Sequence, residues 1–139
     1  MKTFRRFFSL LIVSTVLFAS CSEKENVFTI IGEWGMVSGT IADGDGTTDR
    51  YEKLPNGEFY QILQYKTDGT LIRTTLPDNK KSYGTYTFNS TTNALSYKYD
   101  GDRYYVPAEI QVIDYDEMVI TTDYGTNIGR ITQYCIRLD

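Results

Sequence analysis

The chain has 139 residues, with 14 basic, 18 acidic and no histidine side chains, for a net charge of −4. The absence of histidine excludes Ser-His-Asp and Cys-His catalysis and every histidine metal site. An acidic chain without a basic cluster is also a poor partner for nucleic acid.

Residues 1–20 read as a leader. Lys2, Arg5 and Arg6 form a positive start, and residues 7–19 are apolar apart from Ser9, Ser14 and Thr15. That run is far shorter than the ~20 residues a membrane-spanning helix needs. A basic start, a short apolar run and small residues before a cut site mark a secretory signal. The segment Leu17-Phe18-Ala19-Ser20-Cys21 resembles a bacterial lipobox, with Phe18 where leucine is usual. The resemblance implies cleavage before Cys21 and a diacylglycerol on its thiol; the alternative is an ordinary secretory signal with an incidental cysteine. Several acyl chains make a stable anchor, because each buried methylene contributes about 0.8 kcal/mol. Residues 21–26 then hold the lipidated cysteine and a tether, Ser22-Glu23-Lys24-Glu25-Asn26, too polar to pack. Acidic residues just after the cysteine resemble the surface-export signal of Bacteroidetes lipoproteins. The expected location is therefore a bacterial cell envelope, anchored by lipid to the outer membrane, with the periplasmic and surface faces both open.

Beyond the leader lie 119 residues, which suit one domain over residues 27–139. The leader holds three basic residues and no acidic ones, so the remainder carries 11 against 18 and a net charge of −7. Solubility is sufficient reason for that charge. All 12 tyrosines lie in this part. Tyrosine favours strands and offers an apolar face with a polar tip, suited to lining a pocket, covering a sheet or docking a partner.

Short alternating runs recur at intervals of about 8–12 residues between turn residues, which is an all-β signal. Residues 36–41 predict a first strand, residues 42–49 a polar loop, and residues 51–54 a short strand closed by Pro55-Asn56-Gly57. Residues 59–66 and 70–76 form the clearest hairpin, joined by Thr67-Asp68-Gly69, where Asp-Gly supplies the positive backbone angles of a tight turn. An exposed loop is expected at 77–81. Residues 83–89 and 94–99 form a second hairpin. Tyr86 and Phe88 share one face of the first strand, and Leu95, Tyr97 and Tyr99 share one face of the second. That period of two means one buried and one wet face. Asp100-Gly101-Asp102 turns the chain, residues 103–106 continue as strand, and Pro107 marks a bulge, an edge or a break. Residues 110–114 and 118–123 pair around residues 115–117, and the last strand runs over 130–138. The total is about eight to nine strands in sequential hairpins, an all-β antiparallel up-and-down meander that avoids exposed edges most simply by closing into a barrel.

Gly32-Glu33-Trp34 precedes the first predicted strand, and Arg137 lies near the C-terminus. This resembles the lipocalins, which carry Gly-x-Trp there and an arginine near the end of the last strand that packs over the tryptophan. The resemblance implies that Gly32, Trp34 and Arg137 close one barrel end through a cation–π contact worth ~0.5–2 kcal/mol, with Arg130 the fallback partner. More closely, residues 27–139 resemble the lipocalin-like domains of Bacteroidetes lipoproteins. Their shared pattern appears here as Gly32-Glu33-Trp34, Tyr65-Lys66-Thr67-Asp68-Gly69-Thr70, Gly84-Thr85-Tyr86 and Arg137. These are structural motifs, and such domains mostly have no assigned activity.

The candidate chemistry is sparse. Asp43, Asp45, Thr47 and Asp49 offer oxygen ligands, but Thr48 and Leu54 stand where a calcium loop needs glycine and a bidentate acid, so a solvated acidic loop is preferred. Asp114, Asp116 and Glu117 offer a carboxylate pair for glycoside hydrolysis, yet turn chemistry accounts for them better. Asn89-Ser90-Thr91 matches a glycosylation sequon that the bacterial leader makes incidental. With Cys21 acylated, Cys135 has no intrachain partner. Its place in the alternating run Tyr134-Cys135-Ile136-Arg137-Leu138 favours a buried small hydrophobe over a reactive thiol.

The aromatic faces carry the functional expectation. If Tyr65, Tyr86, Phe88, Leu95, Tyr97 and Tyr99 point inward, they line a barrel that either fills with side chains or holds one small ligand. Buried tyrosine hydroxyls need partners, which tilts the balance toward a cavity. The leading expectation is a non-enzymatic, membrane-tethered module binding a small amphipathic or apolar molecule such as a lipid, with no cofactor or metal. The alternative is a filled barrel whose tyrosines dock another envelope protein or inhibit an enzyme.

Overall fold

The computed structural model describes residues 27–42, 48–52, 56–57, 59–124 and 129–139. Every regular element among them is a β-strand: β1 Gly32–Ala42, β2 Thr48–Glu52, β3 Gln61–Tyr65, β4 Thr70–Thr75, β5 Lys80–Asn89, β6 Ala94–Tyr99, β7 Val106–Val112, β8 Glu117–Asp123 and β9 Arg130–Arg137. From β3 onward each strand pairs antiparallel with the next, and β9 returns to pair with β1. Eight strands thus form a closed meander, a β-barrel. The other edge of β1 is divided: Gly32–Gly35 pairs with β3, while Ser38–Ala42 pairs with the short β2. Closure replaces free strand edges with ladder hydrogen bonds.

The alternation read from the sequence becomes an inside and an outside. On β8, Met118, Ile120 and Thr122 are buried and their neighbours less so. Leu63 and Tyr65 on β3, Leu71 on β4, Leu95 on β6, Ile110 on β7 and Cys135 on β9 complete the wall of the core. On β1 the buried positions are Trp34, Gly35 and Met36, then Gly39, with Trp34 and Met36 the side chains that enter the core. The odd step follows from a bulge, in which Val37 is the extra residue between the Met36–Cys135 and Ser38–Tyr134 pairs.

The plugged end of the barrel is built by residues 27–31, which cross it before β1 begins. Ile30 is buried there, and its carbonyl accepts the Trp34 Nε1 hydrogen at 2.9 Å. The Phe28 ring lies 5.8 Å from Trp34 and 6.3 Å from Phe88, so three aromatics fill the floor. The chain enters β1 through Gly32 at φ +135°, where a side chain would also meet the Arg137 guanidinium at 2.6 Å.

Three details differ from the sequence reading. β1 starts four residues earlier than expected, because Gly32–Gly35 finds β3 as a partner. Lys80 and Lys81, expected in a loop, extend β5 by pairing with Thr75 and Thr74. Residues 103–105, expected as strand, form an exposed turn, and Pro107 lies inside β7 as its second residue. The proline is tolerated by parity. Ile110 N donates to Asn93 O on the β6 side and Ile113 N to Glu117 O on the β8 side, so position 107 faces β8. The β7–β8 ladder ends at Ala108–Thr122, one residue short of the position where the proline lacks its N–H, while the β6 side of Pro107 stays within its ladder.

Candidate functional site

Among the described residues, the end of the barrel opposite the plug is open. An inner chamber of about 130 Å³ has Met36, Leu63, Leu71 and Ile120 as its apolar walls. Above it lies a cleft of about 780 Å³, and the two spaces share Arg73, Tyr97, Tyr99 and Tyr124. β4 supplies Arg73 two residues after Leu71, so the same face that packs the core carries a cation upward to the mouth. β6 places Tyr97 and Tyr99 on one face, their rings 5.7 Å apart edge to face. The Tyr97 hydroxyl lies 3.3 Å from that of Tyr124 and 3.5 Å from Thr122 Oγ1. Gln133 donates to Gln61 Oε1 at 3.3 Å across the chamber.

Arg73 is the least committed of these groups. Its guanidinium stacks 4.2 Å from the Tyr99 ring centroid and reaches Ser82 Oγ at 3.5 Å. Among the described residues its Nε, which is buried, has no hydrogen-bond partner. Among the described residues the ion pairs of arginine involve Arg130 and Arg137, and none involves Arg73. An unsatisfied buried donor costs about 1–3 kcal/mol. Burial pushes the Tyr99 hydroxyl up to about 12, against a smaller opposing pull from Arg73, and raises Tyr65 and Tyr124 in the same direction. These phenols are therefore neutral hydrogen-bonding groups at any physiological pH.

Of the six side chains expected to line a cavity, Tyr65, Tyr97 and Tyr99 do so. The other three lie toward the plug. Leu95 is packed in the core, and Phe88 meets Phe28. Tyr86 meets Tyr65 edge to face at 5.0 Å and donates its hydroxyl hydrogen to Lys66 O in the β3–β4 turn. A pleated strand runs the full height of a barrel, so a shared face extends from floor to mouth and only its upper part meets the cavity. Sequence reading did not single out Arg73, Gln61 or Gln133. The signal was present, since Arg73 and Gln133 sit at inward positions of alternating strands where an apolar residue is expected.

At the plugged end, the structure places Arg137 over Trp34, with its guanidinium carbon 4.3 Å from the ring centroid and 4.8 Å from that of Tyr115. Arg130 instead pairs with Asp123 at 3.5 Å on the outside. Asp114 Oδ1 accepts the Asp116 backbone N–H at 2.7 Å, and Asp116 approaches Arg137 at 3.9 Å. Glu117 accepts the Tyr134 hydroxyl hydrogen. The three acids of this hairpin are thus engaged in its turn and flanks. Asn89 Oδ1 caps its own turn by accepting from Thr91 N and Thr92 N. Cys135 is fully buried and free, and desolvation pushes its thiol up to about 12. Asp43, Asp45 and Thr47 lie outside the described residues, as does Cys21. Among the described residues no group of three acidic or cysteine side chains is placed to hold a metal ion.

Comparison with protein-family models, with characterised proteins and with solved structures returns no match.

Proposed function

We propose that this chain is a lipid-anchored envelope protein whose barrel binds a small amphipathic ligand at its mouth. The supporting observation is the continuity of the inner chamber with the outer cleft through Arg73, Tyr97, Tyr99 and Tyr124. Size limits the ligand. A chamber near 130 Å³ approaches the ~150 Å³ that admits a benzene-sized guest, so it takes one ring or a short chain rather than a whole lipid. The remainder of the molecule lies in the cleft against tyrosine faces, which offer apolar area and polar tips together. Cys21 as the acylated residue and an outer-membrane location belong to the same proposal and rest on the leader sequence.

Native mass spectrometry of the full chain, extracted from its own envelope, tests this reading. The expected result is a small-molecule adduct that is lost in Tyr97→Ala. A chain that carries no adduct and acquires none from envelope extract would overturn it.

A second reading is favoured by the rim. Tyr104 is 74 % exposed, and Tyr83 and Tyr105 are also exposed at the same end. Such a rim suits docking of a partner protein over the mouth. Crosslinking that captures a protein only when Tyr104 is intact supports this alternative.

A further inference from the structure

We propose that Arg73 is an anion-recognition residue, and that the ligand is a small amphiphile headed by a carboxylate. This rests on the binding reading above and specifies its chemistry. Arg73 borders both the chamber and the cleft, so a group against it has its head at the boundary and its tail directed toward Met36, Leu63, Leu71 and Ile120 in the chamber. A guanidinium has five N–H donors, and among the described residues its acceptor is Ser82 Oγ at 3.5 Å, while Nε is buried without a partner. No carboxylate among the described residues lies within salt-bridge distance of it. The guanidinium lies over the Tyr99 ring, 4.2 Å from its centroid, and arginine can grip both oxygens of a planar carboxylate at once.

The surroundings select the head group. Among the described residues, Lys81 and Arg103 line the outer cleft together with Asp100 and Asp102, so with Arg73 this lining has one excess positive charge. One inner cation bordered by tyrosine, threonine and glutamine side chains matches a monoanion better than a dianion. The Tyr97–Tyr124 hydroxyl pair supplies neutral donors beside it. Octanoate, with a compact carboxylate and a short chain, is therefore the probe, and octanamide is its neutral counterpart of the same shape.

Binding of both probes to the full chain in mild detergent, followed by ligand-observed NMR, tests the proposal. Octanoate is expected to bind at least tenfold tighter than octanamide to the native protein. Arg73→Gln is expected to remove that preference, and Arg73→Lys to restore part of it. Equal binding of the two probes to the native protein would overturn the anion assignment and leave the binding reading standing; this comparison needs no variant to fold. Octyl phosphate binding tenfold tighter than octanoate would overturn the carboxylate assignment. Failure of every probe to bind would overturn the proposal together with the binding reading it specifies.

Discussion

Arg137 joins the last strand to the segment that precedes the first by donating to the carbonyls of Thr29 and Ile31, at 2.6 and 3.0 Å, while its guanidinium covers the Trp34 ring. Its side chain is only 4 % exposed, and Nε also reaches Tyr115 O at 3.3 Å. One side chain thus satisfies three backbone acceptors on two segments that the sequence separates by most of its length.

Removing Arg137 therefore strands those carbonyls. Arg137→Ala is expected to destabilise the barrel by about 2–4 kcal/mol, more than a surface ion pair would suggest. Trp34→Phe is expected to cost about 1–3 kcal/mol, because Ile30 O loses its indole donor. Urea unfolding followed by circular dichroism measures both. Values below 1 kcal/mol would show that the plug is not part of the cooperative unit.

The contribution of Asp116 is expected to be small. Its carboxylate is 66 % exposed and 3.9 Å from Arg137 Nε, and solvent screens such a contact. Asp116→Asn should shift stability by less than about 0.5 kcal/mol in the same assay. A loss comparable to Arg137→Ala would mean that the hairpin carboxylate, rather than the carbonyls, holds the arginine.

Gly84 permits a close approach of backbones. A Cβ there would lie 2.3 Å from Lys98 O and 2.9 Å from Tyr99 Cα on the neighbouring strand. Gly84→Ala is expected to force β5 and β6 apart at a cost of about 1–3 kcal/mol. Gly101→Ala meets no neighbour and pays only for its positive φ, about 1 kcal/mol. Equal urea midpoints for the two variants would show that the strands separate freely.

Alkaline pH should unfold the barrel before it ionises it. Cys135 holds its proton to about 12 in the folded chain against an ordinary value of 9.0, and Tyr99 to about 12 against 10.0. Above the ordinary values the unfolded chain releases these protons and the folded chain does not. Stability is therefore complete below about pH 9 and falls as pH rises toward 12. Urea midpoints from pH 8 to 11 check the slope, and Cys135→Val should flatten the part that begins near 9. An unchanged slope in that variant would place the proton release elsewhere.

The strands were legible because their alternation is strict. Leu95, Tyr97 and Tyr99 read as one face, and they are one face. The ends of strands were harder, because pairing partners distant in sequence decide them. Gly32–Gly35 is strand because β3 lies beside it, and nothing local to that glycine-containing segment announces β3. Pro107 reads as a bulge, an edge or a break, since a sequence does not display which neighbour a residue's N–H faces. The site was only half legible. Aromatic inward faces predict a cavity wall, but whether a given ring meets the floor or the mouth depends on its height in the barrel, as Phe88 and Tyr99 show. Arg73 required the reverse inference, from a charge at an inward position to a use for it.

The crossing segment that plugs the barrel also gives the molecule a polarity with respect to a bilayer. Val27 is where the described chain enters, at the sealed end, and Cys21 is only six residues before it. Six residues span roughly 20 Å when fully stretched. Lipidation at Cys21, as proposed, would moor the sealed end close to the headgroups and point the opening into the water. A molecule would then reach Arg73 from the aqueous side, as a dissolved monomer, rather than by leaving the leaflet beneath. A spin label at Tyr104 should accordingly be quenched by water-soluble relaxers and spared by bilayer-borne ones, and the opposite pattern would invert this orientation.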